Sequence, residues 1–160
     1  MDYVIGLGSN LNGRLRNLIE AAKLLQSKVR ILKASQVYLT EPVGPPQPWF
    51  LNAAVLCRCH IDPEGMLDLC KSIERRMGRR TGPRWGPRVI DLDIIFWSGG
   101  SYKSERLQIP HPEWNKRLFV LLPLMDLGDR TVKEADLRDL SHQVVLPLDA
   151  ASIWFTESIT

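Results

Sequence analysis

Arg84-Trp85-Gly86-Pro87-Arg88-Val89-Ile90-Asp91-Leu92-Asp93-Ile94-Ile95-Phe96-Trp97 is the segment whose reading decides the fold. A basic loop rich in turn residues runs into an apolar stretch interrupted by two carboxylates. Side chains alternate between the faces of an extended strand. Alternation assigns Ile90, Leu92, Ile94 and Phe96 to one face, as core. It assigns Asp91 and Asp93 to the other, close enough to ligate neighbouring metal ions. Hard cations such as Mg²⁺ take carboxylate oxygens and keep positions open for phosphate oxygens. Guanidinium groups hold phosphate through forked, charge-assisted hydrogen bonds. Arg75, Arg76, Arg79, Arg80, Arg84 and Arg88 crowd into one window just before and within this segment. A lone pair of acids two residues apart reads more simply as a solvated strand; the arginines beside this pair argue for an anion site.

Upstream, Tyr3 to Leu7 reads as a short apolar strand. Gly6-Leu7-Gly8-Ser9-Asn10-Leu11 then imitates a dinucleotide fingerprint, but Leu11 stands at the third glycine position and no acidic residue ends a following parallel strand. The glycines are read instead as letting the chain turn out of the strand. Leu15, Leu18, Ile19, Ala22 and Leu25 recur with helical spacing over about Arg14 to Ser27, with Asn12 or Gly13 near the cap. Ile31 to Leu39 is β-like. It enters Thr40-Glu41-Pro42-Val43-Gly44-Pro45-Pro46-Gln47-Pro48, whose prolines exclude a helix or strand interior and stiffen the loop.

Phe50 to Cys57 is a second strong strand. Asp62-Pro63-Glu64 opens a helix, with a capping acid followed by proline at the first helical position, and Gly78 stops it. Glu74 falls at the edge of its apolar stripe and reads first as an exposed acid pairing with Lys71 or Arg75. The loop from Arg79 to Arg88 is basic, with Trp85 as its apolar anchor, and functional lids come from such loops. Beyond the central strand lie a weak strand at Glu105 to Ile109, a helix from Asn115 up to Pro123, and a short helix around Lys133 to Leu140. The sequence after Asp126 is poorly periodic.

Composition sets the outer bounds. With 160 residues, 44% hydrophobic and 24% charged, the chain suits one domain with its own core, 1–160. A net charge of +3 does not call for nucleic acid. The N-terminus lacks a secretory leader pattern, and the longest apolar run, Leu118 to Met125, is too short to span a bilayer. These features are read as a cytoplasmic protein with no membrane partner. Three cysteines make no disulfide framework. Cys57 and Cys59, with His60, lack the second cluster that a tetrahedral metal site needs, so buried apolar roles are expected.

The element order is strand, helix, strand, strand, helix, strand. This is the α+β, ferredoxin-like split βαβ order, with helices packed on one face of the sheet. The other face is left for polar chemistry, with Asp91 and Asp93 pointing into it.

A collinear set of short motifs runs along the chain: Gly8-Ser9-Asn10; Tyr38-x-Thr40-x-Pro42-x-Gly44; Phe50-Leu51-Asn52-Ala53; and Glu74 with Arg79. Arg84-Trp85-Gly86-Pro87-Arg88-x-x-Asp91-Leu92-Asp93 follows, then Pro110-His111 and Arg117-x-Phe119-x-Leu121-x-Pro123-Leu124. Over roughly residues 3 to 125 the chain resembles the 6-hydroxymethyl-7,8-dihydropterin pyrophosphokinases of folate biosynthesis. That resemblance implies transfer of pyrophosphate from ATP to the pterin hydroxymethyl oxygen, with release of AMP, by a monomer. It implies that Asp91 and Asp93 hold two Mg²⁺ ions on the triphosphate. Arg79 and Arg88 would stabilise the transferring phosphates. Glu74, Ile94, Arg106, His111 and Arg117 would serve the nucleotide. Phe50 and Phe119 would enclose the pterin ring, Asn52 and the backbone near Thr40 and Val43 would meet its polar edge, and Trp85 would close over it. Two rival readings are a ferredoxin-like RNA-binding module and a non-catalytic scaffold of the same family. The acidic pair and the missing aromatic signature speak against the first, and the intact Asp91, Asp93, Arg79, Arg88 and Asn52 against the second.

Overall fold

Alternating apolar residues build the centre of the molecule. The computed structural model describes residues 1–11, 13–42, 44–78, 89–129 and 132–148. In β1 (Asp2–Ser9), Tyr3, Ile5 and Leu7 are buried on one face. In β4 (Phe50–Arg58), the antiparallel neighbour, Leu51, Ala53, Val55 and Cys57 share that face. Against it pack α1 (Arg14–Gln26), through Leu18, Ala21, Ala22 and Leu25, and α2 (Pro63–Arg76), through Met66, Cys70 and Ile73. The start of α2 is as its sequence demands: the Asp62 carboxylate accepts from Gly65 N–H at 2.8 Å, and Pro63 occupies a position whose missing N–H costs nothing. The expected burial of Cys57 holds.

β2 (Arg30–Ala34) and β3 (Tyr38–Thr40) both pair with β4, so the β-like run expected from Ile31 to Leu39 is one strand broken in two. The break lies at Ser35, whose hydroxyl accepts from Ala54 N–H at 2.8 Å and donates to Gln36 C=O. β5 (Asp91–Trp97) lies on the free side of β1. The sheet reads β5-β1-β4-β3-β8, with β2 also on β4, and every pairing in it is antiparallel. β6 (Tyr102–Lys103) and β7 (Gln108–Ile109) form a separate small hairpin. The ferredoxin-like α+β architecture is therefore correct.

Three details differ from the sequence reading. First, a bulge interrupts β5: Val4 pairs with Phe96 but Ile5 with Ile94, leaving Ile95 as an extra residue. Phe96 consequently leaves the face of Leu92 and Ile94 and packs with Val4, Ala54 and Ile95 on the other side. Second, only part of the second face is left open. There α3 (Leu118–Asp126) covers Val4, Ala54 and Ile95 with Leu121, Leu124 and Leu127. Third, this helix does not run from Asn115 to the proline. A 3-10 turn (Trp114–Lys116) is followed by Arg117 in extended conformation, after which α3 runs past Pro123.

The tail carries α4 (Glu134–Asp139), close to the expected short helix, and β8 (Val145–Pro147), which had no sequence signal strong enough to be assigned. β8 extends the sheet beyond β3, with Thr40 opposite Val145. None of the helices among the described residues is long and apolar enough to cross a membrane.

Candidate active site

The second face of the sheet holds a cleft of about 860 Å³. Its floor is explained by the cross-strand register. On β1 the residues facing it are Gly6 and Gly8, opposite Asp93 and Asp91 on one side and Ala54 and Asn52 on the other. Neither glycine has positive φ, so the turn role expected for them is not theirs. Their contribution is the missing side chain, which leaves the floor open. A Cβ on Gly8 would stand 2.6 Å from Asn52 Oδ1, well inside contact distance.

Asp91 and Asp93 share this face, as their two-residue spacing requires, and both line the cleft. Asp93 is held well above the ordinary carboxylate value, first by burial, then by the negative charges of Asp91 and Glu74. Arg117 and Lys71 oppose that shift. A carboxylate pair strained in this way accommodates a hard cation, because the ion supplies the missing positive charge and prefers oxygen ligands.

Glu74 is not the exposed helical acid first expected. It is 1% exposed, its Oε2 accepts from Leu92 N–H at 2.9 Å, and its Oε1 lies 3.3 Å from Lys71 Nζ. β5 is an edge strand, and a buried edge N–H must find an acceptor. Glu74 provides it between the two aspartates and thereby ties α2 to the acidic strand. Lys71, the other half of the pair, lines the cleft.

On the wall nearest β5, His111 N–H donates to Ile95 C=O at 3.0 Å, so the bulge is also an anchor. His111 Nδ1 accepts from Glu113 N–H at 3.1 Å. Burial, then the Arg117 charge, lowers the His111 pKa. The neutral ring with its proton on Nε2 follows, a donor available to an anion. Arg117 also lines the cleft, with its guanidinium carbon 5.7 Å from the centroid of the Phe119 ring. On the wall nearest β3, Phe50, Asn52 and Thr40 come together, and Asn52 Nδ2 donates to Thr40 Oγ1 at 3.0 Å. That bond fixes the amide and turns Oδ1 toward Gly8.

Of the residues expected at the site, Thr40, Phe50, Asn52, Asp91, Asp93, His111, Arg117 and Phe119 line one cleft. Glu74 stands just behind it. Ile94 does not enter it with its side chain, which is buried in the core beneath the helices; the bulge residue Ile95 lines the cleft instead. Arg106 pairs with Asp68 of α2 and is not among the cleft residues described. Val43, Arg79, Trp85 and Arg88 lie outside the described residues. The sequence reading missed Gly6 and the tail segment His142 to Val145, all of which line the cleft; Lys71, expected as a partner of Glu74, lines it as well. The tail signal was faint: Val144-Val145 is a β-branched pair followed by Leu146, but nothing local marks its partner strand.

The charge strain on Asp93 has a consequence for stability. Its pKa is raised in the folded state, so the folded protein binds the proton more tightly than the unfolded chain. Stability without metal is then full below the ordinary value of 3.8 and falls as pH rises toward about 7. Asp93→Asn removes that loss. Without divalent cations, the variant should melt above the wild type at pH 8, with the difference shrinking toward pH 4. Thermal unfolding across this range checks it; a less stable variant at pH 8, or a difference independent of pH, would contradict the charge strain.

Comparison with known proteins places the chain in a family and supports its fold. Residues 4–129 match the family model described as 7,8-dihydro-6-hydroxymethylpterin-pyrophosphokinase. The 2-amino-4-hydroxy-6-hydroxymethyldihydropteridine pyrophosphokinase of Methylorubrum extorquens is 41% identical over 140 residues, 82% of this chain and 89% of that protein. The protein of the same description from Bacillus subtilis is 41% identical over 144 residues, covering 88% and 86%. The mitochondrial folate synthesis bifunctional protein of Arabidopsis thaliana is 44% identical over 128 residues, but this chain spans only 23% of it. Among solved structures, a Plasmodium falciparum HPPK-DHPS superposes with TM-score 0.62 at 18% identity, over 88% of this chain and 43% of that one. At that identity the likeness bears on the fold alone.

Proposed function

The chain belongs to the 7,8-dihydro-6-hydroxymethylpterin-pyrophosphokinase family and is a pyrophosphokinase of folate biosynthesis; from that premise we propose that its cleft moves pyrophosphate from ATP to the hydroxymethyl oxygen of 6-hydroxymethyl-7,8-dihydropterin and releases AMP. The observation that carries this assignment is the sharing of one cleft by Asp91 and Asp93 with Phe50, Asn52 and Phe119. One end offers oxygen ligands and cations for a triphosphate. The other offers ring faces and a fixed amide for a flat heterocycle.

In this reading the nucleotide phosphates lie along Asp91, Asp93, His111 and Arg117. The two carboxylates hold two Mg²⁺ ions, which when bound neutralise the triphosphate and polarise phosphorus. Arg117 and the Nε2–H of His111 bind phosphate oxygens. Arg79 and Arg88 add positive charge to the group in transfer, and Trp85 closes the site. Glu74 acts indirectly, by fixing the strand segment between the aspartates. Ile94 and Arg106 serve the nucleotide, Ile94 through its backbone. The pterin ring rests between Phe50 and Phe119, and Asn52 Oδ1 accepts from its amide edge, beside backbone groups near Thr40 and Val43. Phosphoryl transfer relies mainly on positioning and electrostatics, so these residues account for the main demands of the reaction. The enzyme acts as a cytoplasmic monomer of one domain. The RNA-binding alternative is less well supported, because α3 covers part of the sheet face such a module would use and Asp91 and Asp93 line what remains.

Incubation with ATP, Mg²⁺ and 6-hydroxymethyl-7,8-dihydropterin should yield AMP and a diphosphorylated pterin. ADP as the sole nucleotide product would mean a different transfer, and no turnover would favour the scaffold reading. A second expectation concerns Gly8. In Gly8→Ala the new methyl displaces the Asn52 amide from its bond to Thr40. Pterin affinity should fall by roughly tenfold, the scale of one lost hydrogen bond with its partner left unsatisfied. ATP-analogue affinity should change much less. Equal losses for both ligands in parallel titrations would show that the floor matters only for general folding.

A further inference from the structure

The Arg117 wall of the cleft rests on a short piece of extended backbone between two helical elements. Arg117 is extended (φ −126°, ψ 112°) between the 3-10 turn and α3, and α3 has no side-chain cap from Arg117. The first N–H groups of a helix have no partner within it. Here the N–H of Leu118 donates to Gln143 Oε1 at 2.8 Å, while Gln143 Nε2 donates to Lys116 C=O at 2.9 Å. One amide side chain therefore grips the backbone on both sides of Arg117. The pattern fixes the amide orientation too, because exchange of its oxygen and nitrogen would break both bonds.

Gln143 is itself held. Its N–H donates to Leu140 C=O at 2.9 Å, and the next residue, Val144, accepts from Glu41 N–H at 3.1 Å. Val145 then pairs with Thr40, the partner of Asn52. A continuous path of hydrogen bonds thus runs from the Asn52 wall, through β8, to the Arg117 wall. It passes through residues beyond 129, where the family match ends.

We infer that Gln143 is a positioning residue for the reaction: by clamping the backbone on both sides of Arg117, it sets the directions of Arg117 and Phe119 in the cleft. The inference rests on the phosphate and pterin roles proposed above for those two residues. It makes the tail a part of this enzyme's site and assigns it no contact with the reacting atoms.

The test uses the full chain and titrates two ligands, a non-hydrolysable ATP analogue with Mg²⁺ and 6-hydroxymethyl-7,8-dihydropterin. Gln143→Met keeps the bulk and removes both bonds. It should weaken ATP-analogue binding by roughly tenfold and pterin binding by a smaller factor. Gln143→Glu keeps the acceptor for Leu118 but not the donor for Lys116, and should fall between. It also carries the test if the methionine variant does not fold. In an Arg117→Ala background, Gln143→Met should add little further loss of ATP-analogue affinity, because for that ligand the two changes act through one group. Losses that simply add would overturn the inference. So would lowered thermal stability with both affinities within about twofold of wild type, the mark of a merely structural residue. A wild-type chain that binds neither ligand would instead overturn the parent reading; wild-type binding with an unaffected Gln143→Met variant sinks the clamp alone.

Discussion

Asp93→Ala should fold normally and lose pyrophosphoryl transfer by a factor on the order of 10³ or more. The two halves of this expectation have separate physical sources. Asp93 lines the cleft, so its truncation opens no sealed cavity in the core. Its charge is also a burden to the free protein, since burial, Asp91 and Glu74 all disfavour it. On the proposed reading a cation bound between the two acids would offset that burden. Loss of metal and charge stabilisation removes several kcal/mol from the transition state. The measurements are AMP formation at saturating Mg²⁺ and thermal unfolding of the same preparation. A variant that keeps a tenth of wild-type activity defeats the metal assignment; one that is inactive because it is unfolded defeats the claim that Asp93 has no structural role.

Phe119→Ala should weaken pterin binding by roughly 30- to 100-fold, with a much smaller effect on the ATP analogue. The size follows from two contributions. Stacking adds about 0.5–1.5 kcal/mol, and the apolar area lost with the ring adds a comparable amount. The main rival is a plain core role for this ring on an apolar helix. The structure weighs against that rival: Phe119 lines the cleft and belongs to neither apolar core, whereas its neighbour Leu121 is fully buried in the second one. A modest loss for ATP is still expected, because the Arg117 guanidinium rests near this ring. Equal losses for both ligands, accompanied by a lowered melting temperature, would return Phe119 to the core.

Much of this protein was determined by local sequence pattern. The period-2 runs at Tyr3–Leu7 and Phe50–Cys57 and the helical period at Leu15–Leu25 are short-range signals, and they produced strands and helices where expected. So did the Asp62-Pro63 cap. The pairing of Asp91 with Asp93 on one face needed only the alternation of a strand. The collinear motifs named the family before any coordinates, and most of the residues they marked do meet in one cleft.

What the tertiary structure decided is everything that depends on a partner distant in the chain. Whether Glu74 is exposed or buried turns on an unpaired N–H in β5, which no reading of α2 alone can see. The bulge at Ile95 exists only relative to β1, and it moved Phe96 to the opposite face. Gly6 and Gly8 looked like turn residues because glycine is permissive wherever it stands; only the register showed them as the bare floor of the cleft. The tail was silent for the same reason. β8 is a strand because β3 offers it an edge, and Gln143 matters because α3 starts beside it with an N–H to satisfy. Periodicity records how a segment meets water and core, whereas hydrogen-bond partners across the fold leave no trace in neighbouring residues.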